Sequence, residues 1–215
     1  MINLRLIENR RWYFLASGIL VVLAAAALIV SAILTGLPLQ IDTNTTPREV
    51  LTAAGFALPI SAAITLFFVW WSSRDAADAF RYGACAITVI AHNLLVLLGF
   101  NALMGLVAGW PADTLFFAAT LAIVGLSTID AVASFERIRG NAAKRRQKGR
   151  DLVLHRSVLE LLVPTLVTRL CLLFILIPIA IVGGPVVAPF AITLLVGLIA
   201  ETYASIFVAV PLLTI

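Results

Sequence analysis

The chain has 215 residues, of which 62% are hydrophobic and 12% charged, with a mean hydropathy of +1.08. So much apolar surface exceeds what a soluble domain of this size can bury, so the composition excludes one and points to a polytopic helical membrane protein. The net charge of +4 is not a nucleic-acid signature, because the basic residues gather in a few loops instead of covering a folded surface.

Six apolar spans follow one another, at about 12–37, 50–71, 82–107, 113–135, 157–182 and 186–213, giving a single all-α membrane domain. The first is over 20 residues long and reads as a permanent anchor, not a cleaved leader. Between the first two spans, residues 38–49 form a short polar connector. Residues 108–112 and 183–185 are tight turns, and residues 136–156 make a strongly basic loop. Orientation follows from Lys and Arg. Thirteen of the 15 fall on the side that holds both termini and the basic loop, leaving Arg48 on the other side and Arg169 within a span. That asymmetry places both termini in the cytoplasm. Trp12, Trp70, Trp71 and Trp110 all fall at span ends, where interfacial tryptophans belong.

Cys85 and Cys171 lie in apolar runs and read as small hydrophobes. No nucleophile–base set, phosphate loop or clustered metal ligands are present in the sequence, so neither an enzyme, a cofactor nor a metal site is expected. The polar residues inside the spans carry the interest instead. Asp130 lies in the fourth span, on a helical stripe with Thr120, Ser127 and Ser134. A charge in hydrocarbon costs about 2.5–3.5 kcal/mol on insertion scales, so it faces protein or water. Asp130 reads either as a protonatable relay or as a static, hydrogen-bonded carboxylate. Arg169 and Glu201 lie halfway along the fifth and sixth spans, at similar depth, and the expected arrangement is an ion pair between them. The rival arrangement turns Arg169 toward Asp130 and leaves Glu201 neutral. His92 and Asn93, with Thr88, form a small polar patch on the third span. Glu160, near the inner end of the fifth, carries no assigned role. Pro164 should kink the fifth span, and Gly105 with Gly109 fits a close helix contact, as does Gly197. The basic loop serves as a topology determinant and could touch anionic lipid.

From Gly125 onward the chain resembles the SecF family of protein-export membrane proteins. The family's G-Y-S-x-N-D…[DE]-R-I-R-E-N run reads Gly125-Leu126-Ser127-Thr128-Ile129-Asp130, then Glu136-Arg137-Ile138-Arg139-Gly140-Asn141. Its next helix is matched at Ser157 to Glu160, Thr165 and Thr168, and ends at Gly183-Gly184. The final helix is matched at Thr202-Tyr203-Ala204-Ser205-Ile206-Phe207 through Pro211-Leu212-Leu213. Leu39 to Asp42 resembles the entry that follows the family's first helix, and His92-Asn93 its third-helix H-D element. The resemblance implies an accessory subunit of the Sec translocase in the bacterial cytoplasmic membrane. It would work with a SecD-like partner and the SecYEG channel, drawing exported preproteins across with the proton motive force, and Asp130 would lie on the proton path. The wider resistance-nodulation-division superfamily shares this plan. Four departures stand out. Residues 38–49 occupy the place of the family's folded extracytoplasmic domain. The motif arginine is replaced by Pro164, the third-helix Asp by Asn93, and the first Gly of the last motif by Glu201. A coupling-deficient structural relative, or part of a transporter for lipids or small molecules, is the alternative reading.

Overall fold

The computed structural model describes residues 10–36, 79–144 and 150–207, together with part of 52–71. Five long helices result: α1 (Arg10–Thr35), α2 (Ala79–Ala108), α3 (Thr114–Lys144), α4 (Arg150–Val182) and α5 (Gly184–Phe207). Each contains a stretch long and apolar enough to cross a bilayer. No strand occurs among the described residues, and the protein is an all-α membrane fold. The described residues within 52–71, the predicted second span, are helical throughout. The connector at 38–49, including Leu39 to Asp42, lies outside the described residues.

Local chemistry fixes the ends. Asp113 caps α3, its Oδ1 accepting the backbone N–H of Phe116 at 2.8 Å. Gly109 closes α2 in the left-handed region (φ 68°), its N–H bonding the Gly105 carbonyl at 3.2 Å. Gly109 is therefore a helix stop, and a Cβ added to it would meet nothing within 4 Å. Between α4 and α5 the chain reverses on Gly183-Gly184. Gly184 takes a φ of 67°, and a Cβ on Gly183 would collide with the Ile179 carbonyl. Pro164 and Pro178 both lie inside α4, which nevertheless stays one helix from Arg150 to Val182.

α5 is the hub, packing against all four other helices. It can do so because its inward positions are small or slim: Ala191, Gly197, Ala200 and Ala204. A Cβ on Gly197 would lie 2.5 Å from Ile123 Cγ1 and 3.3 Å from Leu97 Cδ2. Leu97, Ile123 and Leu198 accordingly form a solid apolar layer across α2, α3 and α5. By contrast α1 and the membrane part of α4 present apolar side chains outward along their length, including Ile33, Phe174 and Ile181. In lipid that exposure carries no penalty.

The α2–α3 and α4–α5 turns lie at one end, which the charge distribution assigns to the outside. At the other end α3 and α4 run well past their apolar stretches, Thr114–Ala133 and Pro164–Val182. Most of the basic loop expected at 136–156 is thus helical, with only 145–149 undescribed between the two helices. α3 alone, 31 residues long, spans about 46 Å, more than the hydrocarbon core requires.

One contact makes the packing testable. A Cβ on Gly99 would stand 2.5 Å from Ala24 Cα and 2.8 Å from its carbonyl oxygen, so α1 cannot keep its seat on α2 beside any larger residue. Gly99→Ala is expected to destabilise the detergent-purified protein by about 1–3 kcal/mol, as overpacking does. Gly18→Ala, with nothing within 4 Å, should leave thermal unfolding unchanged.

Candidate functional site

Polar side chains inside the bundle meet where α2, α3, α4 and α5 come together. Asn93, Ser127, Asp130, Arg169 and Glu201 all lie thirteen to seventeen residues from the outer ends of their helices. At about 1.5 Å rise per residue they share a depth of about 20–25 Å, in the inner half of the bundle.

The Arg169 guanidinium bonds the Asp130 carboxylate, Nη2 to Oδ2. The arginine side chain is 6% exposed and the aspartate 23%, so the cation is the more deeply buried partner. This corrects the expected Arg169–Glu201 ion pair. Pro164 is exposed and Arg169 buried, so the rotation of roughly 140° over five residues turns position 169 into the bundle, where its guanidinium meets Asp130. Glu201 points elsewhere. It is fully buried, and its Oε2 accepts bonds from Asn93 Nδ2 and Ser127 Oγ. Asn93 Nδ2 also donates to Ser127 Oγ at 3.0 Å, closing a triangle between α2, α3 and α5. His92 Nδ1 stands 3.3 Å from Asn93 Oδ1, which orders the chain as imidazole, amide, hydroxyl and carboxyl. Thr88 is not in this group, since its hydroxyl donates to the Ala84 carbonyl at 2.8 Å on an exposed face.

Three buried atoms here have no hydrogen-bond partner among the described residues: Arg169 Nη1, Glu201 Oε1 and His92 Nε2. Glu201 lies within electrostatic reach of both Asp130 and Arg169. The cluster is therefore polar, largely buried and incompletely satisfied among the described residues.

Toward the inner end, Arg137 Nε bonds Glu160 Oε2 at 2.9 Å, and Asn141 Nδ2 bonds the same oxygen at 3.1 Å. Two residues of the α3 motif are thus held by a glutamate to which sequence reading gave no role. A cavity of about 440 Å³ opens here, bordered by Ala133, Arg137, Asn141, Glu160 and Pro164. The side chain of Arg139 lies outside the described residues, as does that of Ser134. Of the remaining motif positions, Tyr203 donates its hydroxyl to the Tyr13 carbonyl at 2.9 Å, tying α5 to α1. Thr202 and Ser205 bond their own helix, at Leu198 O and Thr202 O, and Thr165 is half-buried on α4. Gly183 and Gly184 form the outer turn. Pro164, where the motif has its arginine, is exposed, and Arg169 is the buried cation of α4.

A family model described as protein export membrane protein SecD/SecF, C-terminal, matches residues 45–215. The chain belongs to the SecF family. It is 37% identical over 169 residues to the protein translocase subunit SecF of Anaerolinea thermophila, covering 78% of this chain and 55% of that protein. The SecF of Thermobaculum terrenum is 32% identical over 166 residues, 77% of this chain and 52% of its own length. That of Rickettsia bellii is 29% identical over 168 residues, 78% and 52%. The chain thus spans about half the length of the curated relatives it matches. Family and apolar helices together make it an integral membrane protein.

The triangle can be tested without an assay of function. Asn93→Ala should cost about 1–3 kcal/mol, the penalty for stripping a donor from a buried acceptor. Combined with Glu201→Gln, its effect should be less than the sum of the two, by about 0.5–3 kcal/mol, the range for coupled neighbours. Thr88→Ala combined with Glu201→Gln should be additive in the same thermal unfolding experiment.

Proposed function

We propose that this chain is a SecF-like accessory subunit of the Sec translocase. In this reading it assists proton-motive-force-linked export of preproteins across the bacterial cytoplasmic membrane, beside a SecD-like partner and the SecYEG channel. The observation that carries the proton-linked part is the Asp130–Arg169 pair. Asp130 occupies the carboxylate position of the α3 motif, and although the motif arginine is Pro164, a guanidinium from the same helix meets the carboxylate after all. Names of the curated relatives support the export part.

A buried ion pair that binds and releases a proton alters the charge balance between α3 and α4. Protonation of Asp130 would break its pairing with the guanidinium, and a shift of one helix against the other is the response we propose. Both helices run on past the bilayer, where Arg137, Asn141 and Glu160 couple them again. A movement started at the pair would therefore reach the inner extensions, on the side where the basic segments can meet anionic lipid or the channel. The outward apolar faces of α1 and α4 offer the surface for a SecD-like partner. Residues 38–49 stand, on this reading, in place of a folded outer domain, so force on the preprotein would come from the membrane helices and whatever the partner supplies.

The test is complementation in cells depleted of the native protein, reading secretion of a reporter. Asp130→Asn and Arg169→Gln should each reduce export to the empty-vector level while the protein accumulates and still recovers a SecD-like partner from membranes. Export at the unsubstituted level with Asp130→Asn would remove proton coupling from the proposal. Failure to recover any Sec component with the intact protein would remove the translocase assignment itself.

A further inference from the structure

Among the described residues the polar level of the bundle holds two carboxyl groups, Asp130 and Glu201, and one guanidinium, Arg169, and charge neutrality sets the number of protons they carry. With Arg169 permanently charged, a neutral cluster requires one carboxyl ionised and one protonated. Two carboxylates beside one guanidinium would leave a net buried charge, as would two carboxylic acids, and neither is tolerable in hydrocarbon. In this structure Asp130 has the guanidinium. Glu201 Oε2 accepts two donors, which leaves Oε1, fully buried and unpartnered, as the atom free to carry the proton. We propose that Glu201 is a second proton-binding station, sharing one proton with Asp130 against the single positive charge of Arg169. Neither Glu201 nor Arg169 belongs to the motif pattern that the sequence resembles.

The step is balanced. One proton leaves the Glu201 carboxylic acid, one binds the Asp130 carboxylate, and the guanidinium keeps its proton throughout. The other ionisable groups around Glu201 are His92 from α2, Tyr203 on α5 itself and, against Tyr203, Tyr13 from α1. His92 hydrogen-bonds to Asn93 Oδ1 and so reaches Glu201 through that amide, while Tyr203 is turned toward the Tyr13 carbonyl. Neither competes for the charge of Arg169.

The surroundings give the two stations different access. On the inner side, Asp130 is partly exposed and lies one turn from Ala133, which borders the inner cavity. On the outer side a cavity of about 690 Å³ lies between the two turns, with Asn101 and Thr193 in its lining. Asn101 carries its own buried, unpartnered Oδ1. Asn101, Thr120 and Thr193 are buried seven or eight residues, about two turns, outward of Asn93, Ser127 and Glu201 respectively. Between these two polar layers sits the apolar layer of Leu97, Ile123 and Leu198, packed against Gly197. At this shared depth an apolar barrier separates Glu201 from the outer cavity, while Asp130 lies a turn from the lining of the inner one.

This deepens the proton-linked reading above and rests on it only for what the proton drives. The experiment is infrared spectroscopy of the full chain in an ester-free detergent at neutral pH, reading the C=O stretch of protonated carboxyls, which ionised carboxylates do not show. Surface carboxylates do not contribute. The unsubstituted protein should show the band of one buried acid, and Glu201→Gln should remove it. In Asp130→Asn the band should also vanish, because Glu201 must ionise to balance Arg169. In Arg169→Gln it should double, because both carboxyls must be protonated. Glu201→Asp, which keeps the acid, should retain a band at shifted frequency and controls for misfolding of Glu201→Gln. An unsubstituted protein without the band, or an Asp130→Asn band of undiminished intensity, would overturn the inference. Loss of export in Asp130→Asn with the band intact would sink the shared proton and leave the export reading standing. A band that follows every substitution while export is untouched would do the reverse.

Discussion

A guanidinium buried among apolar helices cannot be left alone, and the structure around Arg169 is arranged by that constraint. Its carboxylate comes from α3, and the pair holds α3 and α4 in register at a depth where hydrophobic packing alone would permit sliding. A second, neutral-compatible network of Asn93, Ser127 and Glu201 fixes α5 against α2 and α3 at the same depth. Lipid tails compete equally with any apolar helix face, so specific hydrogen bonds and close-packed small residues must set the relation between helices. Here the polar level supplies the bonds, and Gly99 and Gly197 supply the close approach on its outer side. Register and proximity are thus specified by different residues a turn apart.

The same economy of charge explains why the polar level is thin. Beyond it on the outer side lies the apolar layer of Leu97, Ile123 and Leu198, which separates it from Asn101 and Thr193. Without that layer, water in the outer cavity would reach Glu201 directly and screen the interactions on which the level depends. On the inner side the hydrocarbon ends within a few turns, and the helices carry Arg137, Asn141 and Glu160, which can pair in a wetter setting. Exposed ion pairs of this kind contribute little to stability. Their part is better understood as alignment of two helices that leave the membrane together.

Much of this was legible in the chain, and the limits have physical causes. Hydropathy announces an all-α membrane protein because every spanning segment must satisfy its backbone internally and cover itself with apolar side chains. Hydropathy does not announce where a helix stops. The signal ends at Glu136, where charge begins, but Glu, Arg, Ala and Lys are strong helix formers and α3 continues to Lys144. Partner choice was misread for a related reason. Periodicity turns Arg169 away from the direction of position 164, but it does not say that position 164 faces outward and position 169 into the bundle. For Glu201 a usable signal was present. Counting inward from the outer turns places Asn93, Ser127 and Glu201 at one depth, and buried polar residues at one depth on neighbouring helices are expected to meet. Glu160 offered no such signal, since its partners lie on a stretch taken for loop.

Substitution at family positions becomes intelligible on the same footing. Losing an arginine at position 164 and gaining one at 169 moves the cation from an exposed position on α4 to a buried one. A guanidinium so placed has one carboxylate within bonding reach and a second within electrostatic reach. Replacing a glycine with Glu201 on α5 would, without Asn93 and Ser127 to receive it, bury an unsupported carboxyl group. With them, it turns a close-packing position into a hydrogen-bonded one. An aspartate instead of Asn93 would add a third acid beside a single cation, and the amide avoids that excess while still donating to Glu201. The three departures are therefore coupled: the buried cation permits one ionised acid, the amide supports the other without competing for charge, and each would be costly alone.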